Sequence, residues 1–251
     1  MPAPYDNYDY PAYWKGREYE HDSEFLAIKK LLLRIPKVDR SIEIGAGFGR
    51  LLSAYQFRVK KIVLSDPSAK LIACARNKYK NNSRVEFIQS TLDNLKNRKR
   101  AKSFDLCIMV RVLHHIEDID KAFENVSNLL KDKGYFILEF PNKSHLKASF
   151  KKICKGDFTY PLNIFPLDIR SKKNIKKKTL PFINYNPGQI IEKLETAGFD
   201  LIETRSVSNI RSSFMKRLFP ISFLLDLEKY LQIPFSKLNF GPSFFILAKK
   251  R

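Results

Sequence analysis

The sequence predicts an α/β fold: a doubly wound, largely parallel sheet with helices on both faces. Three observations predict it. Short apolar runs alternate with helix-length segments between residues 41 and 140, as strand–crossover–strand units do. A glycine-rich turn closes the first of these runs. Apolar residues make up 44% of the 251-residue chain, enough to bury a core under both faces of a sheet. Right-handed crossovers then wind the chain outward in both directions.

Each element has a local reason. Glu24 to Ile35 reads as a helix, with Asp22 or Ser23 as its N-cap. Ser41-Ile42-Glu43-Ile44 is a short buried strand ending at Gly45. Lys61 to Ser65, Arg84 to Ile88, Phe104 to Val110 and Gly134 to Phe140 follow as strands. Helices over Leu51–Phe57, Ser68–Tyr79 and Ile119–Leu130 join them; in the last, Ile119, Phe123, Val126 and Leu130 recur at helical steps. After residue 142 the alternation breaks. It resumes where Asn186 caps a helix with Pro187 in its first turn, ended by Gly198. Phe199–Thr204 and Ser243–Ala248 are the last two strands, with a helix near Ser222–Leu231 between them. Residues 1–251 thus read as one domain, with residues 1–37 as an N-terminal lid and helix and residues 143–182 and 205–240 as insertions.

Composition excludes several classes. With 13% aromatic residues the chain is not disordered. Cys74, Cys107 and Cys154 are too scattered for a disulfide framework or a CxxC metal pair, which suits a reducing cytoplasm. The longest uncharged run, Thr179 to Ile191, contains two prolines and is too short to span a membrane. The polar, tyrosine-rich start lacks the apolar core of a signal peptide. Charge is the unusual feature: a net +20, concentrated at +9 over residues 141–180 and +7 over residues 205–251. Such blocks attract nucleic acid, anionic lipid or an acidic substrate; a solvated lysine surface is the alternative.

The most informative stretch is Glu43-Ile44-Gly45-Ala46-Gly47-Phe48-Gly49-Arg50. Glycines allow a tight turn and close approach of a ligand to the backbone. A dinucleotide fingerprint needs glycine or alanine at position 50, where this chain has arginine, and the GK[ST] of a P-loop is absent. The pattern is GxGxG. Asp66 ends the second strand 21 residues after Gly45, where an acid can accept hydrogen bonds from both hydroxyls of an adenosine ribose.

At these residues the chain resembles the class I S-adenosylmethionine-dependent methyltransferases, in particular the small-molecule group typified by ubiquinone-biosynthesis-like enzymes. Glu43 to Gly49 is similar to that family's first motif, and Leu64-Ser65-Asp66-Pro67-Ser68 to its second. Phe104-Asp105-Leu106 through Val112-Leu113-His114-His115-Ile116 resembles the fourth-strand motif, and Ala197-Gly198-Phe199 a later helix–strand junction. The resemblance implies a Rossmann-like sheet of seven strands with the last antiparallel, and S-adenosylmethionine as cofactor. It implies that Glu43, Gly45, Ala46, Gly47, Gly49, Asp66, Pro67 and Val110 line the cofactor site. Where the family has an aspartate for adenine, this chain has Thr91; its hydroxyl, the Leu92 backbone amide or Asp93 would make that contact. In similar enzymes the segment before the core folds over the cofactor. Tyr13, Trp14 and Arg17, from the aromatic stretch Tyr8–Arg17, would line that lid, with Arg17 near the cofactor carboxylate; the alternative is an aromatic staple of the first helix onto the sheet.

Methyl transfer is mainly a matter of placing a nucleophile in line, and no metal cluster is expected. A hydroxyl acceptor would call for a base, for which His115 or His114 is placed by chain position; packing beside the cofactor and helix capping are their other roles. The two insertions follow the fifth and sixth strands, where ligands of open sheets bind. Their lysines and phenylalanines, including Lys176-Lys177-Lys178, suit a small-molecule acceptor that is anionic or lipid-like. Phe223, Leu224, Leu227 and Leu231 share one helical face, which would pack in the core, cover the acceptor, or make peripheral contact with an anionic membrane. Nucleic acid is the rival partner, protein a further acceptor, and non-catalytic binding on the same fold a third reading. The Asn/Asp-Pro-Pro-aromatic motif of amino-methylating nucleic-acid enzymes is replaced here by Met109-Val110-Arg111-Val112.

Overall fold

The structure, a computed structural model, describes residues 6, 9–95, 102–177 and 179–251; Tyr8 and Lys178 lie outside them. The strands are β1 (Val38–Ile44), β2 (Val59–Asp66), β3 (Val85–Gln89), β4 (Phe104–Met109), β5 (Leu130–Pro141), β6 (Leu167–Asp168), β7 (Ile183–Asn184), β8 (Phe199–Val207) and β9 (Ser243–Lys250). The helices are α1 (Tyr10–Tyr13), α2 (Glu18–Leu32), α3 (Leu52–Tyr55), α4 (Ala69–Lys78), α5 (Leu92–Leu95) and α6 (Ile119–Leu129). They continue with α7 (Leu146–Ile153), α8 (Lys172–Lys176), α9 (Pro187–Thr196), α10 (Ser213–Leu218) and α11 (Ile221–Lys237).

One seven-stranded sheet runs in the order β3-β2-β1-β4-β5-β9-β8. β1 to β5 pair in parallel, and β9 is antiparallel to both its neighbours, as the resemblance implied. β6 and β7 form a separate two-stranded ladder. The chain winds one way from β1 to β3 and the other way from β4 to β5. The crevice of the sheet therefore lies at the carboxyl ends of β1 and β4.

Two apolar cores fill the two faces. One packs Phe123, Val126, Ile190 and Leu194 of α6 and α9 against Met109, Phe136 and Ile246 of the sheet. The other packs Ile28, Leu31 and Leu32 of α2 and Leu52 and Tyr55 against Ile62, Leu64, Ile108 and Leu247. Capping fixes where several helices begin. The Ser68 hydroxyl accepts from the Leu71 N–H at 3.1 Å, Asp118 from Lys121 at 3.0 Å, and Asn186 from Gly188 at 2.9 Å.

Several elements differ from expectation, among them α7, α8, α10, β6 and β7, which lie in or beside the segments read as insertions. α2 begins at Glu18, so Asp22 and Ser23 lie inside it rather than capping it; the Ser23 hydroxyl donates to the Tyr19 carbonyl one turn back. α3 is a single turn that tightens into a 3₁₀ turn at Gln56–Arg58. β5 starts at Leu130, directly after α6. α11 is longer than predicted and faces inward on an unexpected side. Its buried stripe is Leu224, Glu228, Gln232 and Ser236, while Phe223 and Leu227 are exposed. The reason is what α11 meets on α2 and β8. Glu228 accepts from the Tyr19 hydroxyl at 2.7 Å and the Ser208 N–H at 2.9 Å, and the Gln232 amide donates to the Ser23 carbonyl at 3.1 Å. Buried polar groups with partners win over an apolar stripe.

Candidate active site at the carboxyl edge

Gly45, Asp66, Thr91 and Val110 each follow or end one of four adjacent strands, so they stand in a row along one sheet edge. At Gly45 φ is +68°, and a Cβ would collide with Val112 from the loop after β4. Only glycine lets those two loops approach. The turn is stitched by Ala46 N–H to the Ser65 carbonyl and Gly49 N–H to the Ala46 carbonyl, both at 3.0 Å.

Asp66 is buried at the end of β2. One carboxylate oxygen accepts from the Gly47 N–H and the other from the Ser68 N–H, each at 2.8 Å. A carboxylate offers about four lone-pair sites, so acceptor capacity remains for a pair of ribose hydroxyls. Burial pushes its pKa up, and the two backbone donors oppose that. Glu43 is also buried, but it faces Tyr55, whose hydroxyl donates to it at 2.6 Å; burial raises its pKa to about 7. Pro67 follows Asp66 and its carbonyl accepts from the Gln89 side chain at 3.3 Å. The Thr91 hydroxyl is exposed and accepts from the Asn94 N–H at 3.4 Å. Leu92 packs partly buried against the core, and Asp93 turns to Asn125 of α6 at 2.8 Å. These residues fit an adenosine-bearing cofactor: a tight glycine turn, and a buried acid with acceptor capacity left beside it.

The N-terminal segment lies over this edge. Tyr10 ring carbons stand 3.7 Å from where a Gly47 Cβ would be, and the ring meets Phe48 edge-on at 6.0 Å. The Ser68 hydroxyl donates to the Asp6 carboxylate at 2.5 Å. Arg17 stacks over Tyr13 at 4.2 Å, while the arginines that meet Trp14 are Arg50, directly after the glycine turn, and Arg111, after β4. Both pair with the fully buried Glu24 of α2 and both lie over the Trp14 ring, at 3.6 and 4.7 Å. Those arginines hold the Glu24 carboxyl below its ordinary pKa against the opposing pull of burial. The Arg111 N–H also donates to Glu139 at 2.7 Å, and Arg111 has φ of +59°. Sequence reasoning missed Tyr10, Glu24, Arg111 and Glu139. Its one signal was Arg50, the residue that spoils a dinucleotide fingerprint.

Beside this network lies a cavity of about 260 Å³, lined among others by Tyr13, Glu20, Arg111, His114, Glu139 and Asn184. His114 Nδ1, Glu20 Oε2 and Asn184 Oδ1 are buried without a hydrogen-bond partner, the condition a polar ligand relieves. Burial, with His115 and Arg111 nearby, drives the His114 pKa well down, so its imidazole is neutral. His115 is held differently: its Nδ1 lies 2.6 Å from the Pro181 carbonyl, which only accepts, so that nitrogen carries the proton. Burial also lowers its pKa.

Residues 42–138 match the family described as "Methyltransferase domain". Over 162 residues the chain is 28% identical to a ubiquinone biosynthesis O-methyltransferase of Pelagibacter ubique, covering 58% of this chain and 65% of that protein, just under two thirds of its length. In fold it is similar to an S-adenosylmethionine-dependent methyltransferase from Archaeoglobus fulgidus, at TM-score 0.60 and 14% identity over 96% of this chain and 100% of that one. It is likewise similar to one from Mesorhizobium loti, at TM-score 0.58 and 17% identity over 88% and 96%.

Proposed function

We propose, on the premise that residues 42–138 form a methyltransferase domain of the S-adenosylmethionine-dependent kind, that the protein methylates a small-molecule acceptor by in-line displacement. The observation that carries this reading is the adjacency of two features. The glycine turn and Asp66 form a nucleoside cradle, and the neighbouring cavity is lined by Glu20, His114 and Asn184, each of which has a buried polar atom without a partner. When bound, the cofactor supplies an electrophilic methyl group.

The chain's own residues have separable tasks in this reading. Gly45, Ala46, Gly47 and Gly49 form the tight turn against which the cofactor would lie, with Glu43 behind it. Asp66 holds the ribose, and Pro67, Thr91, Leu92 and Val110 border the base. Tyr13 and Arg17 belong to the segment that covers the site. His114 is the base for a hydroxyl acceptor, since it is neutral, lines the cavity and has a nitrogen without a partner; His115 orients beside it. The single catalytic domain spans residues 1–251, with residues 143–182 and 205–240 shaping the acceptor side. The basic, aromatic surface of those segments also supports peripheral contact with anionic membrane. Among the described residues no helix is long and apolar enough to cross one.

The test is transfer of radiolabelled methyl from S-adenosylmethionine to cell-extract fractions, alongside calorimetry with S-adenosylhomocysteine. Label in the metabolite or lipid fraction is expected. Label confined to RNA or protein would transfer the reading to those acceptors, and cofactor binding with no label in any fraction would leave a binding protein. His114→Gln is expected to lower kcat at least tenfold while S-adenosylhomocysteine affinity stays within twofold; unchanged kcat removes the base role.

A further inference from the structure

We propose that the acceptor is an anionic amphiphile, with its methyl-accepting group in the inner cavity and its acid and apolar chain in an outer chamber walled by Leu146, Lys147, Phe150 and Arg211. The inference rests on the methyltransferase reading above. The outer chamber has a volume of about 710 Å³, within the range of about 300–1,000 Å³ usual for small-molecule sites. It adjoins the inner cavity, for His145, Ser208, Arg211 and Pro242 line both.

The chamber is built where the two insertions meet: α7 supplies one wall and the loop between β8 and α10 the other. Its apolar surface is laid open. Leu146 is 52% and Phe150 66% exposed, and Phe240 continues the wall. A concave apolar surface facing solvent favours a partner that removes it from water. Its charge has one sign. Lys147 and Arg211 stand in the lining and no acidic residue does. Among the described residues Lys147 makes no ion pair, and Arg211 reaches Glu20 only at 3.5 Å, where Lys216 already sits at 2.6 Å. Glu228, behind the wall, is taken up by the Tyr19 hydroxyl and the N–H groups of Ser208 and Asn209. His145 spends its Nδ1 on the Ala148 N–H at 3.3 Å. Two cations therefore stand over the apolar trough, Lys147 with no ion pair among the described residues and Arg211 with only a long, shared contact to Glu20. Such a wall raises the local concentration of anions and selects those that carry an apolar chain.

Calorimetry on the full chain tests this with octyl phosphate, octanoate, octanol and inorganic phosphate, all below micelle-forming concentrations. The anionic amphiphiles are expected to bind at least tenfold tighter than octanol and than inorganic phosphate. The double variant Lys147→Glu, Arg211→Glu should lose at least tenfold in affinity for octyl phosphate, and Phe150→Ser severalfold. Both variants change exposed side chains, and circular dichroism checks that they fold. S-adenosylhomocysteine, titrated into the same proteins, reads the cofactor site separately and should bind within twofold of wild type. If it fails to bind wild type, the methyltransferase reading falls. If it binds while octyl phosphate binds no better than octanol, or equally well to the charge-reversed variant, only the subsite is overturned. Flotation with phosphatidylglycerol vesicles, without binding of monomeric octyl phosphate, would also overturn it, because the wall would then be a docking surface.

Discussion

At the scale of single residues, buried carboxylates give the sharpest expectations. Glu43 has its pKa raised to about 7 by burial. An acid whose pKa is higher folded than unfolded binds more protons in the native state between those values, so its contribution to stability is complete below the unfolded pKa and is lost as pH rises toward about 7. Glu43→Gln keeps an acceptor for the Tyr55 hydroxyl and removes that penalty. It is expected to stabilise the protein by about 3 kcal/mol at pH 8 and by little at pH 5, read as the difference in unfolding free energy between variant and wild type at each pH. Asp66 holds the Gly47 and Ser68 N–H groups, and in the proposed function its remaining acceptor capacity serves a ribose. Asp66→Ala should weaken S-adenosylhomocysteine binding about tenfold to hundredfold, the equivalent of one charge-assisted hydrogen bond or slightly more. Full affinity by calorimetry would show that the ribose lies elsewhere.

At the scale of elements, α2 is tied to the functional edge through Glu24. Its carboxylate pairs with Arg50 on the glycine turn and Arg111 after β4, with side-chain exposures of 0%, 8% and 25%. Removing that charge leaves two arginines facing each other in a buried setting. Glu24→Gln should therefore cost about 3–5 kcal/mol of stability, measured by denaturant unfolding, and lower cofactor affinity as the turn loosens. The turn itself is limited by backbone conformation. A Cβ at Gly47 meets only ordinary contacts, 3.7 Å from Tyr10 and 3.8 Å from Leu71, but φ there is +54°. Gly47→Val is thus expected to reduce S-adenosylhomocysteine affinity at least tenfold through a twisted loop, with the β-branched side chain resisting positive φ. An unchanged calorimetric affinity would show that the turn tolerates it.

At the scale of the whole molecule, the net +20 bears on partner class. A small acceptor held in a cleft predicts that methyl transfer changes only severalfold between 50 and 200 mM salt. A nucleic-acid acceptor touching 6–10 phosphates would lose about 10³–10⁵ in affinity over that range, so steady-state rates at several salt concentrations separate the two. The sequence by itself determined the sheet, its winding and the row of residues at the strands' carboxyl ends, because alternation, caps and a glycine turn act over a few neighbouring residues. Its row from Gly45 to Val110 lies along one edge since parallel strands end together. It did not reveal which face of α11 turns inward, since Glu228 and Gln232 find their partners in Tyr19 and Ser23, some 200 residues earlier, and Ser236 finds its own in Thr204 of β8. Nor did it show Tyr10 lying over Gly47, or Glu24 gathering Arg50 and Arg111 beneath Trp14. Those arrangements join segments far apart in the chain, and tertiary packing alone decides which charges and rings meet.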